Sequence, residues 1–308
     1  MDIIEQIKYR DGICLKLFGY KLSLSRNLDE RDLPELLKKW YKKRTGKILN
    51  LDNPQTFNEK IQWLKLYDNS PLKTKLADKY LVREWIEEKI GKEYLIPLLG
   101  VWDNFDEIDF DKLPDKFVLK ANHGCAWNII VKDKSKFDKK KAKKKFDKWM
   151  KRNYAYKAGF EMQYKDIPPK ITAEAFMSDS KGELNDYKIL CFNGKPQFIW
   201  IDQGRYTHRT ENIYDTKWNL QPFLLTYENS KEEVPPPENL EKMIELAEIL
   251  SKDFALVRVD FYNVDGKIYF GEMTFTSASG VDVFKPEEYN LKLGQMLELP
   301  KKQEVYSK

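Results

Sequence analysis

The stretch Val257-Arg258-Val259-Asp260-Phe261, followed by Phe270-Gly271-Glu272-Met273-Thr274, decides how this sequence is interpreted. Each half alternates apolar and polar residues, as expected for a strand with one buried face. Turn-forming residues lie between the halves and predict a β-hairpin. Arg258 and Asp260 therefore share one face of the first strand, and Glu272 and Thr274 share one face of the second.

The length of the hairpin loop determines whether the two faces coincide. A loop of two residues, Asp265-Gly266, would place Glu272 on the face opposite Asp260. A loop of three residues, 264–266, places both carboxylates on one face. The residues favour the longer loop, because Asn263 can open a type I turn and glycine suits the left-handed position that follows.

Two carboxylates that converge from adjacent strands suit Mg²⁺, which takes one or two carboxylates together with substrate phosphates. Arg258 beside them can hold a transferring phosphoryl group or the carboxylate that accepts it. The same residues also fit an ordinary cross-strand ion pair between Arg258 and Glu272 on a solvated sheet. The hairpin alone leaves both interpretations open.

Composition excludes several classes of protein. The chain has 308 residues, of which 33% are charged and 42% hydrophobic, a balance typical of globular proteins and not of disordered chains. No apolar run approaches the roughly 18 residues of a membrane span, and no signal peptide is visible. Three scattered cysteines and two histidines form no zinc or disulfide pattern, so we expect a cytoplasmic protein.

The net charge of +5 is concentrated in one segment. Residues 132–152 are rich in lysine, and the rest of the chain is net acidic. Ala142, Phe146 and Trp149 recur at helical spacing there, which predicts an amphipathic helix with a basic outer face. Such a face is more often solvated than bound to nucleic acid, so we predict no nucleic-acid partner; it permits peripheral contact with the inner face of a membrane.

The order of predicted elements indicates an α+β fold. Helical patterns fill the N-terminal third, including one helix from Ser70-Pro71 to Gly91, and mostly antiparallel strand pairs follow. We divide the chain into a helical N-terminal region at 1–70, a segment with a helix and a strand at 71–115, a lobe with a nucleotide loop at 116–180, and a C-terminal lobe with the metal site at 181–308.

Two further motifs precede the hairpin. Lys120 ends an apolar strand before a short loop that contains His123 and Gly124, where a lysine can contact a phosphate. Glu174 lies within an apolar strand, and the backbone of the residues after it can serve as a hinge that recognises adenine. In isolation, a lysine at the end of a strand is more often solvated, Glu174 is an ordinary outward strand residue, and His123 is more often a structural loop histidine than a catalyst.

The order of these motifs resembles the ATP-grasp superfamily, in which a lysine strand, a loop of small residues, a hinge strand with Glu, an R-x-D strand and an E-x-N strand follow one another. Within it, the sequence is most similar to the TupA-like ATP-grasp family of bacterial polysaccharide and teichuronopeptide gene clusters, over about residues 58–297. The residues that carry the resemblance are Ala77–Arg83, Phe117–Gly124, Trp127-Asn128, Asp186–Lys188, Cys191–Gly194, Tyr214-Asp215, Trp218 and Gly271–Gly280.

The resemblance implies the ATP-grasp fold, two α+β lobes that grip ATP, here with a helical N-terminal extension. It assigns Arg258 and Lys120 to catalysis and Asp260, Glu272 and Thr274 to the metal, with Thr274 standing where the family has asparagine. The nucleotide-binding residues that it implies are Lys79, Lys120, His123, Gly124, Glu174, Ala175, Phe176, Met177, Asp186 and Lys188, with Lys188 equally suited to a substrate site.

The resemblance also implies an ATP-dependent carboxylate–amine ligase with ATP and Mg²⁺ as cofactors. We expect a carboxylate-bearing sugar or glycan precursor and an amine such as an amino acid as substrates, in capsule, teichuronopeptide or other surface polysaccharide biosynthesis. A glycan-modifying phosphotransferase on the same fold and a nucleotide-sugar glycosyltransferase using Asp109-Phe110-Asp111 are the alternatives. Candidate acceptor-side residues are Arg205, His208, Arg209, Tyr214, Asp215 and Thr276–Gly280.

Overall fold

The computed structural model describes residues 30–157, 159–180, 182, 184–203 and 209–302, together with the backbone of 13–17 and 20–24. Arg205 and His208 therefore lie outside the described residues. The strands are β1 (Ile13–Leu17), β2 (Tyr20–Leu24), β3 (Leu98–Trp102), β4 (Phe117–Ala121), β5 (Asn128–Val131), β6 (Ile171–Ala175), β7 (Asp186–Phe192), β8 (Lys195–Gln203), β9 (Thr210–Asp215), β10 (Leu256–Val264) and β11 (Lys267–Thr274). The α-helices are α1 (Leu33–Thr45), α2 (Phe57–Tyr67), α3 (Pro71–Ala77), α4 (Val82–Lys89), α5 (Lys139–Trp149), α6 (Leu240–Ser251) and α7 (Glu288–Met296).

Two antiparallel sheets form the framework, which confirms the predicted α+β class. The smaller has the strand order β3-β6-β4-β5, and the larger has the order β11-β10-β7-β8-β9. One apolar cluster packs helices α1, α2 and α5 against the smaller sheet and one face of the larger. A second cluster packs α6 against the opposite face of the larger sheet. The division into four sequence regions stays a prediction.

The hairpin of β10 and β11 differs from its predicted turn. Val264 pairs with Lys267, so the loop is the two-residue Asp265-Gly266, and both loop residues have positive φ, at 49° and 82°. The prediction of a three-residue loop was therefore wrong. Asp-Gly is well suited to a two-residue turn of this kind, because such turns need positive φ at both central positions.

With a two-residue loop and regular pairing, Glu272 would lie on the face opposite Asp260. A bulge in β11 returns Glu272 to the face of Asp260. Phe261 pairs with Phe270, but the next pair is Asp260 with Glu272, so Gly271 has no partner opposite it. A Cβ at Gly271 would lie 3.0 Å from the Asp260 carbonyl oxygen, so a residue without a side chain fits there best. The predicted common face of the two carboxylates is thus confirmed, for a different reason.

The predicted single helix after Ser70 is two helices. The break falls at 78–81, between α3 and α4. The Asp78 carboxylate accepts hydrogen bonds from the backbone N–H groups of Tyr80, at 2.8 Å, and Leu81, at 3.2 Å. A short acidic side chain that bonds nearby backbone groups competes with a continuous helix, and here it places Lys79 at the bend.

Two strand pairs were not predicted. Strands β1 and β2 pair with each other in antiparallel orientation ahead of the helices. Strand β9 completes the larger sheet beside β8, in a segment whose sequence looked like a polar loop. No helix among the described residues is long and apolar enough to cross a bilayer.

Candidate active site

Arg258 organises the face of the larger sheet that carries the two carboxylates. Its Nε and Nη2 atoms donate to the two oxygens of Asp260, at 2.7 and 2.6 Å. Nη2 also lies 3.4 Å from Glu272 Oε1 and 3.2 Å from the Thr274 hydroxyl, which itself donates to Glu272 at 3.0 Å. Arg258, Asp260, Glu272 and Thr274 therefore form one hydrogen-bonded group, as predicted from the alternation of the strands.

Burial and neighbouring charges act in opposite directions on the pKa values of Arg258, Asp260 and Glu272. Burial raises the pKa of Asp260, although Arg258 opposes the rise. Burial also acts to raise the pKa of Glu272, but Lys79 and Arg258 outweigh it and the pKa is lowered. For Arg258, burial acts to lower the pKa, and the nearby carboxylates raise it above its usual range. The Arg258 guanidinium thus opposes the effect of burial on both carboxyl groups and favours their charged forms.

The donor set fits Mg²⁺. Two carboxylates on facing strands supply hard oxygen ligands, and each carboxylate oxygen offers more than one lone pair, so the contacts with Arg258 leave acceptor capacity. No group of three or more histidine, cysteine, aspartate or glutamate residues suited to a metal occurs among the described residues. The site therefore suits an ion that completes its shell with water and ligand phosphates more than a caged structural metal.

Lys79 connects the hairpin with the loop after β4. Its Nζ donates to the Gly124 carbonyl at 2.8 Å and lies 3.9 Å from Glu272 Oε2. Its backbone N–H bonds the Asn122 carbonyl at 3.3 Å. The bend between α3 and α4 thus brings Lys79, the first predicted phosphate lysine, to Glu272 of the hairpin.

His123 and Gly124 shape this loop. His123 is buried, with Nδ1 3.2 Å from Asn122 Oδ1 and Nε2 3.2 Å from the Trp149 carbonyl. Burial lowers its pKa, which favours the neutral ring. The structure thus places His123 in the packing beneath the loop. A Cβ at Gly124 would lie 2.6 Å from the Trp127 ring, so glycine is required where the loop passes this tryptophan.

A cavity of about 110 Å³ lies between the two sheets. Lys120 and Glu174 form an ion pair at its wall, and Arg83 Nη1 lies 3.7 Å from the same carboxylate. Ala175, Phe176 and Met177, the residues proposed as the hinge, line the cavity. The backbone N–H of Ala175 is already bonded to the Pro97 carbonyl at 3.0 Å.

Asp186 and Lys188 also lie on the cleft face of the larger sheet. Asp186 is opposite Tyr262, which lines the cavity, and Lys188 is opposite Asp260. Lys188 forms an ion pair with Asp202, whose Oδ2 also lies 2.7 Å from Arg209 Nη2. Asp202, which sequence reasoning missed, thus links Lys188 with Arg209, one of the candidate acceptor-side residues.

A left-handed loop completes the site. Ala278, Ser279 and Gly280 have φ of 44°, 54° and 64°, and Ser277 Oγ accepts from Arg258 Nη1 at 3.1 Å. Buried Lys65 donates to the carbonyl and hydroxyl oxygens of Ser279, at 2.8 and 2.9 Å. The sequence offered one signal for Lys65, since Asn58, Gln62 and Lys65 recur at helical spacing and so lie along one side of α2.

Asp109-Phe110-Asp111, the motif behind the alternative of a nucleotide-sugar glycosyltransferase, forms a local turn. The Asp109 side chain accepts from the backbone N–H of Asp111 at 3.1 Å and begins a short 3₁₀ turn. Asp109 and Asp111 are exposed and are engaged in this local turn.

Comparison with known proteins identifies the family. The TupA-like ATP-grasp family model matches residues 59–298. Because the match covers most of the chain, the protein belongs to this family. It is accordingly an ATP-grasp protein. The comparison with curated proteins gave no match.

Solved structures of ATP-grasp enzymes share distant similarity with the chain. D-alanine–D-alanine ligase from Helicobacter pylori is 13% identical, with a TM-score of 0.40 over 96% of this chain and 79% of that one. The Bacillus anthracis D-alanine–D-alanine ligase complexed with ATP is 16% identical, with a TM-score of 0.38 over 73% and 68%. An N5-carboxyaminoimidazole synthase from Aspergillus clavatus, in complex with ADP and 5-aminoimidazole ribonucleotide, is 11% identical, with a TM-score of 0.37 over 69% and 46%.

Proposed function

We propose that the protein uses ATP and Mg²⁺ to convert a carboxylate into an acyl phosphate, which an amine then attacks to form an amide. The carboxylate belongs to a sugar or glycan precursor, the amine is of the amino-acid type, and the product serves surface polysaccharide biosynthesis, such as capsule or teichuronopeptide, at the cytoplasmic side of the membrane. The single observation that carries the proposal is the Arg258-centred group on the hairpin, with Lys79 beside it.

The charges of this group suit phosphoryl transfer from a nucleotide. Phe176 and Met177 would contact adenine in the cavity, and Asp186 would contact the ribose. Lys79 and Lys120 would contact the phosphates, with Lys120 exchanging Glu174 for a phosphate oxygen. Mg²⁺ held by Asp260 and Glu272 would neutralise the charge that develops on the transferred group.

Arg258 is suited to stabilise the acyl phosphate. Its guanidinium is fixed by Asp260 and Ser277 before substrate arrives, so little reorganisation is needed at the moment of reaction. It lies on the same face as the metal carboxylates, where the transferred phosphoryl group would meet the acceptor carboxylate. Loss of such a preorganised donor typically costs about 100- to 1000-fold in rate.

The test measures ADP release with a panel of uronic acids and other sugar carboxylates, using hydroxylamine to trap the acyl phosphate as a hydroxamate. We expect Asp260→Asn and Glu272→Gln each to abolish hydroxamate formation while the protein stays folded. Glu241→Gln, on the exposed face of α6, is the matched control. Near-normal turnover in both hairpin variants would refute the metal assignment, and stabilisation by a UDP-sugar without any by ATP would refute the ligase proposal.

A further inference from the structure

A set of buried polar atoms without partners lies on the same sheet face as the hairpin carboxylates. Lys188 on β7 is directly opposite Asp260, and Trp200 on β8 is directly opposite Lys188. Asp202, two residues beyond Trp200, is opposite Glu211 on β9. Because opposite residues of antiparallel strands share a face, these side chains continue the Arg258 group across the larger sheet.

The side chains of this set are buried and incompletely bonded. Trp200, Asp202 and Glu211 are 3%, 2% and 8% exposed. Trp200 Nε1 and Nε of the adjacent Arg209 nevertheless have no hydrogen-bond partner, whereas the carboxyl groups of Asp202 and Glu211 hydrogen-bond to each other. Buried polar groups are nearly always bonded, so a concentration of unbonded donors and acceptors points to a ligand that supplies the missing partners.

Asp282 joins this set to the hairpin. Its Oδ2 is also buried without a partner, and its backbone carbonyl is fixed by a 2.8 Å hydrogen bond from Asn58. Arg258 and Lys188 lie close enough to act on its charge but form no ion pair with it. Burial raises the pKa of Asp282 to about 7, and burial, followed by the charge of Asp202, raises that of Glu211 to about 7.

The unbonded atoms define the chemistry of the ligand. One carboxylate oxygen without a partner, Oδ2 of Asp282, suits an ammonium group. The N–H donors without partners, at Trp200 and Arg209, suit a carboxylate. An α-amino acid carries both groups and so offers a partner of the right chemistry to each.

We propose that Asp282, Trp200 and Arg209 form the binding site of an amino-acid nucleophile, and that Asp282 accepts its proton. This inference rests on the proposed function and assigns the second substrate of that reaction to named residues. Asp282 takes one proton from the ammonium, and the amine nitrogen attacks the acyl carbon. The C–N bond forms as the C–O bond to phosphate breaks; the departing phosphate carries the electron pair and takes up the second nitrogen proton.

The binding test is a melting-temperature measurement with the free amino acids, each in the presence and absence of Mg²⁺ and ATP. We expect at least one amino acid to raise the melting temperature of the unmodified protein and of the exposed-site control Asp253→Asn. We expect Asp282→Asn and Trp200→Phe to lose that shift while they keep the shift caused by ATP. The inference is overturned if the amino-acid shift survives in both variants, if only neutral polyols produce one, or if ATP stabilises the protein and no amino acid does.

A second measurement isolates the proton transfer. Hydroxylamine is largely unprotonated at neutral pH and needs no base, whereas an amino acid does. We expect Asp282→Asn to lower the amino-acid-supported rate of ADP release at least about 100-fold more than the hydroxylamine-supported rate, and Asp282→Glu to restore part of it. Equal losses with both nucleophiles would assign Asp282 to the first half of the reaction instead. Failure of ATP to bind at all would refute the proposed function, while the amino-acid shift would still test the site.

Discussion

Replacement of the buried lysine beneath the left-handed loop, Lys65→Met, should destabilise the protein in a pH-dependent way. Lys65 is 2% exposed, and its Nζ donates to Gln62 Oε1 at 2.9 Å, to the Gly159 carbonyl at 2.8 Å and to two oxygens of Ser279. Methionine keeps most of the volume but leaves these acceptors without a donor. A buried polar group that loses its partner typically costs about 1–3 kcal/mol.

The pH dependence follows from the shifted pKa of Lys65. Burial lowers it from 10.5 to about 7, although Glu161 opposes the shift. Between these two values the unfolded chain binds more protons than the folded one, so the stability that Lys65 contributes rises with pH in this window. At about 1.4 kcal/mol per unit of pH, the loss caused by Lys65→Met should be about 2 kcal/mol larger at pH 9 than at pH 7.5.

Urea unfolding at the two pH values measures this difference. Lys144→Met, on the exposed face of α5, is the matched control and should show neither the loss nor its pH dependence. A loss that is equal at both pH values, or smaller at pH 9, would refute the account of Lys65.

Three other substitutions test particular contacts. Gly294→Ala would put a Cβ 2.1 Å from the Gln55 carbonyl oxygen, so it should destabilise the packing of α7 on α2 by about 2 kcal/mol or more in urea unfolding; an unchanged midpoint would show that the helices separate freely. Glu174→Gln breaks the buried pair with Lys120, so it should lower the melting temperature of the ligand-free protein more than that of the ATP-bound protein; the reverse would show that this carboxylate binds the nucleotide directly. Gly124→Ala forces the loop away from the Trp127 ring and should weaken ATP binding about 10-fold or more by calorimetry, whereas unaltered affinity would separate this loop from the phosphates.

The sequence was most informative where one periodicity dominated. Alternation in β10 and β11 predicted which side chains share a face. Local turn preference was less reliable. The face on which Glu272 lies was set by the bulge at Gly271, seven residues after Val264, and not by the loop alone. A bulge depends on pairing between strands and on the close approach of the Asp260 carbonyl, neither of which turn residues encode.

The residues that sequence reasoning missed act through tertiary contacts. Arg83 lies on α4, where it looks like one charge among several on an exposed face, and only folding brings it to Glu174. Glu211 was hidden because β9 is rich in polar residues, although its strand is largely buried. The helix break at Asp78 depends on a side-chain cap that competes with helix formation, which the pattern of apolar residues alone does not reveal.

The fate of oxygen atoms tests the central claim most directly. When the acceptor carboxylate is labelled with ¹⁸O and ATP is supplied with Mg²⁺ and an amine, an acyl phosphate intermediate transfers one labelled oxygen to inorganic phosphate as the C–O bond breaks. We predict labelled phosphate with the unmodified protein and none with Asp260→Asn. Unlabelled phosphate accompanied by amide formation, or a stable phosphorylated product with no free phosphate, would contradict the assignment of the hairpin to carboxylate activation.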